Sequence, residues 1–129
     1  MANTNPTELE FETVFKDKNG VIIITMKDYR KLDQYDVLNI NLAIRHKAEG
    51  KPALKLLDAR ANWSIDKKAK ERAKLESSAS VTKARAIVVS NSIKAALFKF
   101  LQSFNKQDYP QQIFSDYDEA YEWLIQFKK

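Results

Sequence analysis

Two stretches of this chain are apolar at nearly every position, and strands of that kind are satisfied only inside a sheet covered on both faces. The first is Val21-Ile22-Ile23-Ile24-Thr25-Met26. The second is Ala84-Arg85-Ala86-Ile87-Val88-Val89-Ser90, apolar without a break from Ala86 to Val89. A sheet with one wet face would show strict alternation instead. Helical layers are therefore expected on both sides, and the rest of the sequence has to supply them.

It does so in a regular order. Leu9 to Lys16 alternates between apolar and polar residues, which is the period of a strand with one covered face, and it is expected at the sheet edge. Lys18-Asn19-Gly20 makes a tight turn into the Val21 strand, because Asn and Gly tolerate positive φ. Asp33 or Asp36 caps a first helix that runs to about Ala48, where Gly50 and Pro52 end it. Ala53 to Asp58 is the next strand, and Asp66 caps a second helix reaching about Ser78. That helix has mostly Ala on its apolar side and should be the least firmly attached. After the Ala84 strand, Asn91 starts a third helix with Ile93, Ala96, Leu97, Phe100, Leu101 and Phe104 on one stripe. Gln112-Ile113-Phe114 is a short last strand. Asp116 with Glu119 forms a capping box for a final helix carrying Tyr117, Ala120, Trp123, Leu124 and Phe127. The expected architecture is α/β: a five-stranded mixed, mostly parallel sheet, an N-terminal hairpin, three helix crossovers and a C-terminal helix, with helices on both faces.

With 129 residues the chain suits one domain that buries roughly two thirds of its unfolded surface. Residues 1–8 read as a flexible polar tail and 9–129 as a single domain. The opening segment lacks the apolar centre of a signal peptide, and no apolar run approaches the roughly 20 residues that span a bilayer. Cysteine is absent, which removes disulfides and thiolate metal sites and fits a reducing cytoplasm. The 22 basic and 17 acidic residues leave a charge of +5. The basic run Lys67-Lys68-Ala69-Lys70-Glu71-Arg72-Ala73-Lys74 has no interleaved aromatic or polar base readers, so it reads as a solvated helix face and no nucleic acid is expected.

The chemistry of sites is thin. His46 is the sole histidine and lies off the stripe of Val37, Ile40 and Ile44, so it reads as a surface residue, with neither zinc nor a base for a catalytic triad at hand. The only glycines, Gly20 and Gly50, sit at a hairpin and a helix end, which excludes a phosphate-cradling loop. No catalytic residue, metal ligand or cofactor is expected, and the chain is not read as an enzyme. In a sheet of this type ligands bind beyond the carboxyl ends of the strands. That crevice would receive Asp28, Asp58, Arg60, Trp63, Ser90 and Asn91, with Ser115 and Asp116 beside them. Two readings are open there: a small-ligand site, or local structure in which Asp58 pairs with Arg60 while Asn91 and Asp116 cap helices. For Trp63 the choice lies between a contact residue and a lid on the core.

With this order of elements, the strands Leu54-Lys55-Leu56-Leu57-Asp58 and Ala86-Ile87-Val88-Val89, and the ending Ile113-Phe114-Ser115-Asp116-Tyr117-Asp118-Glu119-Ala120-Tyr121-Glu122-Trp123-Leu124, the chain resembles the STAS domain. That module is shared by anti-sigma-factor antagonists and the cytoplasmic tails of sulphate transporters. The ending is similar to the "F-x-x-x-x-E-A-x-x-W-L" terminus of small bacterial STAS-like proteins of unassigned function. The antagonists carry Asp-Ser-Ser-Gly, with a phosphorylated serine, where this chain has Ser64-Ile65-Asp66-Lys67-Lys68. Lysines occupy the serine positions, so the resemblance implies a non-enzymatic scaffold without the phosphoswitch, one that contacts proteins or takes a small or lipidic ligand.

Apolar residues left over by the core are the candidates for contact with a protein partner, a second copy of the chain included. On the first helix Val37, Ile40, Ile44 and Ala48 can face the sheet, whereas Tyr35, Leu38 and Leu42 form a separate stripe more than a quarter-turn away. On the third helix Phe98 points off the expected inner stripe and is a second candidate anchor. The runner-up function is a small-molecule or lipid-binding domain using the strand-end crevice or an apolar slot between sheet and helix.

Overall fold

Asp17 closes the tight turn that precedes Val21. Its carboxylate accepts the N–H groups of Asn19 and Val21 at 2.9 Å, while Gly20 takes the left-handed conformation at φ +81 that the tight return requires. The computed structural model describes residues 7–8, 12–28, 31–79, 82–102 and 109–128. The turn joins β2 (Glu12–Lys16) to β3 (Val21–Met26) as an antiparallel pair. The expected first strand began at Leu9; residues 9–11 lie outside the described part, as do residues 1–6 of the expected tail. Thr7–Glu8, assigned to that tail, instead form β1 and pair antiparallel with Val14 and Thr13. The five expected strands thus acquire a two-residue sixth, and β2 is not the sheet edge. A segment of two residues leaves no periodicity to read.

The remaining elements are β4 (Lys31–Leu32), α1 (Gln34–Ala48), β5 (Ala53–Asp58), β6 (Ser64–Ile65), α2 (Lys67–Ala79), β7 (Thr82–Val88), α3 (Ser92–Gln102), β8 (Gln111–Phe114) and α4 (Tyr117–Ile125). The main sheet runs β1-β2-β3-β5-β7-β8, with β3, β5, β7 and β8 parallel. Both apolar strands are interior. In β3, Val21, Ile22, Ile24 and Met26 are buried, Ile23 is half-buried and only Thr25 is exposed, and in β7 the run from Ala86 to Val88 is fully buried. Burial of each such side chain contributes about 1.5–3 kcal/mol, so these two strands carry much of the stability.

Each helix starts where its cap residue stands. Asp33 accepts from the N–H groups of Tyr35 and Asp36, and Asp36 accepts in return from Asp33 N–H, a complete capping box. Asp66 accepts from Ala69 N–H, Asn91 from Lys94 N–H and Asp116 from Glu119 N–H. The end of α1 differs in detail from the expected glycine cap: Glu49 itself adopts the left-handed conformation at φ +55, and Gly50 follows at φ +76.

The helices divide unequally. Ala120 and Leu124 of α4 cover one face over Val21, Leu54, Leu56, Ala84, Ala86 and Val88, with Phe114, Tyr117, Trp123 and Phe127 packed around them. The other face carries α1, through Val37, Ile44 and Ala48, and α3, through Phe98. Helix α2 packs mainly against α1 and touches α3, with Ala69 fully buried. The terminal motif is thereby explained as packing: Phe114 lies 5.6 Å from the Trp123 ring, and Trp123 lies 4.9 Å from Phe127.

Candidate functional site

Beyond the carboxyl ends of the parallel strands the backbone breaks into short loops, and the predicted crevice residues meet there in two groups on opposite faces of the sheet. Asp58 ends β5 on the α4 side, in step with Leu54 and Leu56. It is buried, and Arg60 grips it with both arms, Nε to Oδ1 and one terminal nitrogen to Oδ2, each at 2.8 Å. That bond keeps the Arg60 guanidinium above its ordinary pKa. Arg60 also lies over the Tyr117 ring at 5.3 Å, while burial and then the charge of Asp58 raise the Tyr117 phenol. A carboxylate held this way is engaged by its own neighbour. Asp28 is elsewhere: it accepts from Asn62 N–H at 2.7 Å and anchors the loop after β5. The Asp58–Arg60 pairing expected from sequence is present.

On the other face stands Trp63. It is buried, donates its indole N–H to Ala59 O at 3.0 Å, and lies 5.9 Å from Phe98. The Lys94 ammonium sits 4.3 Å from its ring centre and donates to Trp63 O. Trp63 is therefore a core lid, placed by the small parallel sheet of β4 and β6, in which Lys31 faces Ser64 and Leu32 faces Ile65. This packing corrects the expected phase of α3. Phe98, read as pointing away from the core, is 8% exposed and packs on Trp63, whereas Ile93, placed on the inner stripe, is 78% exposed. A tryptophan arriving from a loop presents the largest apolar surface available, and the helix turns Phe98 toward it. Phe104 lies outside the described residues, as do the side chains of Phe100 and Leu101.

At the ends of β7 and β8, against the start of α3, a pocket of about 440 Å³ opens. Ser90, Asn91, Ser92, Ser115 and Lys99 supply its polar lining, Val89, Ala95, Ile113 and Phe114 its apolar part. Ser90 donates to Arg60 O at 3.0 Å and Asn91 is engaged as the α3 cap. Of the predicted crevice residues, Ser90 and Asn91 line this pocket; Asp28, Asp58, Arg60 and Trp63 do not.

The proposed contact stripe of α1 is divided by the structure. Tyr35 is 64% and Leu42 51% exposed, while Leu38 between them is half-buried. His46 is exposed on the same helix. Among the described residues no cluster of His, Cys, Asp or Glu could hold a metal, and no helix is long and apolar enough to cross a membrane.

Sequence reasoning missed a polar row beneath the helices. Lys55 and Arg85 alternate with residues of the α4-side core, so both point to the face that carries α1 and α3. They are direct partners in the β5–β7 register, and Gln111 stands next on β8. Lys55 is 3% exposed, and burial together with Arg85 and Arg45 lowers its ammonium to about 8. Burial also lowers the Arg85 guanidinium. The signal was present: a charged residue at one alternating position of an apolar strand is either an edge residue or a buried one.

A family model described as a domain of unknown function, DUF7793, matches residues 15–128. No curated protein matches. Among solved structures, an uncharacterized DUF3478-family protein with a SpoIIAA-like fold from Shewanella loihica PV-4 is similar with a TM-score of 0.63 and 16% identity, over 96% of this chain and 98% of that one. At that identity the likeness concerns the fold, which is SpoIIAA-like and so STAS-like. Since the family model covers all but the first 14 residues and Lys129, the chain belongs to the DUF7793 family.

Proposed function

We propose that the domain is a non-catalytic interaction module of a bacterial cytoplasm, which meets a protein partner, a second copy of itself included, through the outer stripe of α1. The observation that carries this reading is the pair Tyr35 and Leu42, large apolar side chains well exposed on one side of a helix whose other side packs on the sheet. They stand seven residues apart, with the half-buried Leu38 between them. Full burial of such side chains contributes about 1.5–3 kcal/mol each, enough for three to anchor a modest interface. The module works without the serine switch of the anti-sigma-factor antagonists, because Lys67 and Lys68 open α2 behind the Asp66 cap. Neither nucleic acid nor a cofactor enters this reading.

Leu38→Asp with Leu42→Asp tests it. Sedimentation velocity and partner capture should show association lost, with the fold retained by circular dichroism. The same mass as the parent and an intact partner complex exclude α1 as the contact surface.

The strand-end pocket supports a second reading, a small-ligand domain. Its volume of about 440 Å³ is within the range of small-molecule sites, and it combines hydroxyls and Lys99 with an apolar floor.

A further inference from the structure

On the face of the sheet that carries α1 and α3, Lys55, Arg85 and Gln111 have hydrogen-bond donors left over, and the Tyr109 hydroxyl just ahead of β8 has both a proton and lone pairs to offer. Lys55 stands directly across from Arg85, and Gln111 directly across from Arg85 on the far side. Arg85 Nε donates to Gln111 Oε1, which fixes the carboxamide so that its amino group is left over. That Gln111 Nε2 is buried with no hydrogen-bond partner, and so is the hydroxyl of Tyr109, whose phenol lies in the field of Arg85. Arg45 of α1 adds a third positive charge to the field at Lys55. Among the described residues no carboxylate pairs with Lys55 or Arg85.

Neighbouring like charges that have lost their hydration repel, and removing the compensating charge from a buried group is strongly destabilising. Donors in such excess over acceptors select a ligand rich in acceptors. Carboxylate and phosphate oxygens fit, and the planar guanidinium fork of an arginine matches either. We propose that Lys55, Arg85, Tyr109 and Gln111 form an internal binding site for one carboxylate or phosphate group, between the sheet and the helices that cover it. None of its four polar residues lines the strand-end pocket, and the site does not depend on the α1 contact. Ala53, Leu57, Ile87 and Ile113 share this face and are apolar, so a ligand with a hydrocarbon body would find packing beside its head.

The test is calorimetric titration of the full chain at constant ionic strength with three probes: inorganic phosphate, decanoate and the uncharged decanol. The site predicts one anion bound per chain, with decanol at least tenfold weaker than decanoate. Preference for decanoate over phosphate identifies an amphiphilic ligand, and preference for phosphate a free anion or phosphoryl group. Lys55→Met and Arg85→Met should each weaken binding at least tenfold. Should either variant fail to fold, the parent protein still decides through its preference for the anions over decanol. The proposal is overturned if neither anion binds or if decanol binds as tightly as decanoate.

Discussion

Replacing Lys55 by Met should make the protein more stable at neutral pH. The side chain is almost fully buried, and its ammonium is lowered from the ordinary 10.5 to about 8 by burial, Arg85 and Arg45. At 1.36 kcal/mol per pH unit, that displacement corresponds to a penalty of at most about 3 kcal/mol on the native state whenever Lys55 is charged. Below pH 8 both native and unfolded chains carry the proton and the penalty is complete. Between pH 8 and 10.5 the unfolded chain binds more protons than the native one, so stability rises with pH as the penalty is withdrawn. Met keeps the apolar stem and approximate volume while removing the charge. Urea unfolding in phosphate-free buffer should therefore show Lys55→Met more stable than the parent at pH 7 by about 1–3 kcal/mol, with the gap narrowing by pH 9.5. A variant less stable than the parent at pH 7, or a gap that does not change with pH, refutes the assignment of Lys55 as a buried, uncompensated cation.

Trp63→Ala should cost about 3–5 kcal/mol, because it removes a large buried ring from between Phe98 and Lys94; thermal unfolding followed by circular dichroism measures it. Trp63→Phe keeps much of the ring but leaves Ala59 O without its indole donor, a cost of about 1–3 kcal/mol. Ser64 is exposed in β6, before the Asp66 cap, and should carry no stoichiometric phosphate in protein from its native host; intact-mass spectrometry reads this directly.

The sequence was most readable where one physical demand acts alone. Val21–Met26 and Ala86–Val89 had to be interior because no wet face could be offered, and they are. Asp66, Asn91 and Asp116 were legible as helix starts, and Asp33 as one of two candidates with Asp36, since a cap depends on groups only two or three residues away. What failed depended on partners far along the chain. Phe98 was assigned outward because a helical stripe fixes phase only relative to its own residues, and Trp63, 35 positions earlier, decides which side is inward. Thr7–Glu8 and the pairing of Lys31–Leu32 with Ser64–Ile65 are too short to print a period. In the crevice, the Asp58–Arg60 grip was legible because the two residues are neighbours in sequence. The separation of Asp28 from it was not, since the bond to Asn62 spans two loops.

The central claim, that α1 is the contact surface, is tested most directly by site-specific photocrosslinking in the native host. A benzophenone amino acid is placed at Leu42, with a control at Gln112, which is exposed on edge strand β8. A discrete protein adduct is expected from position 42, to another protein or to a second copy of the chain, and none from position 112. The same adduct from both positions, or adducts from 112 alone, contradicts it.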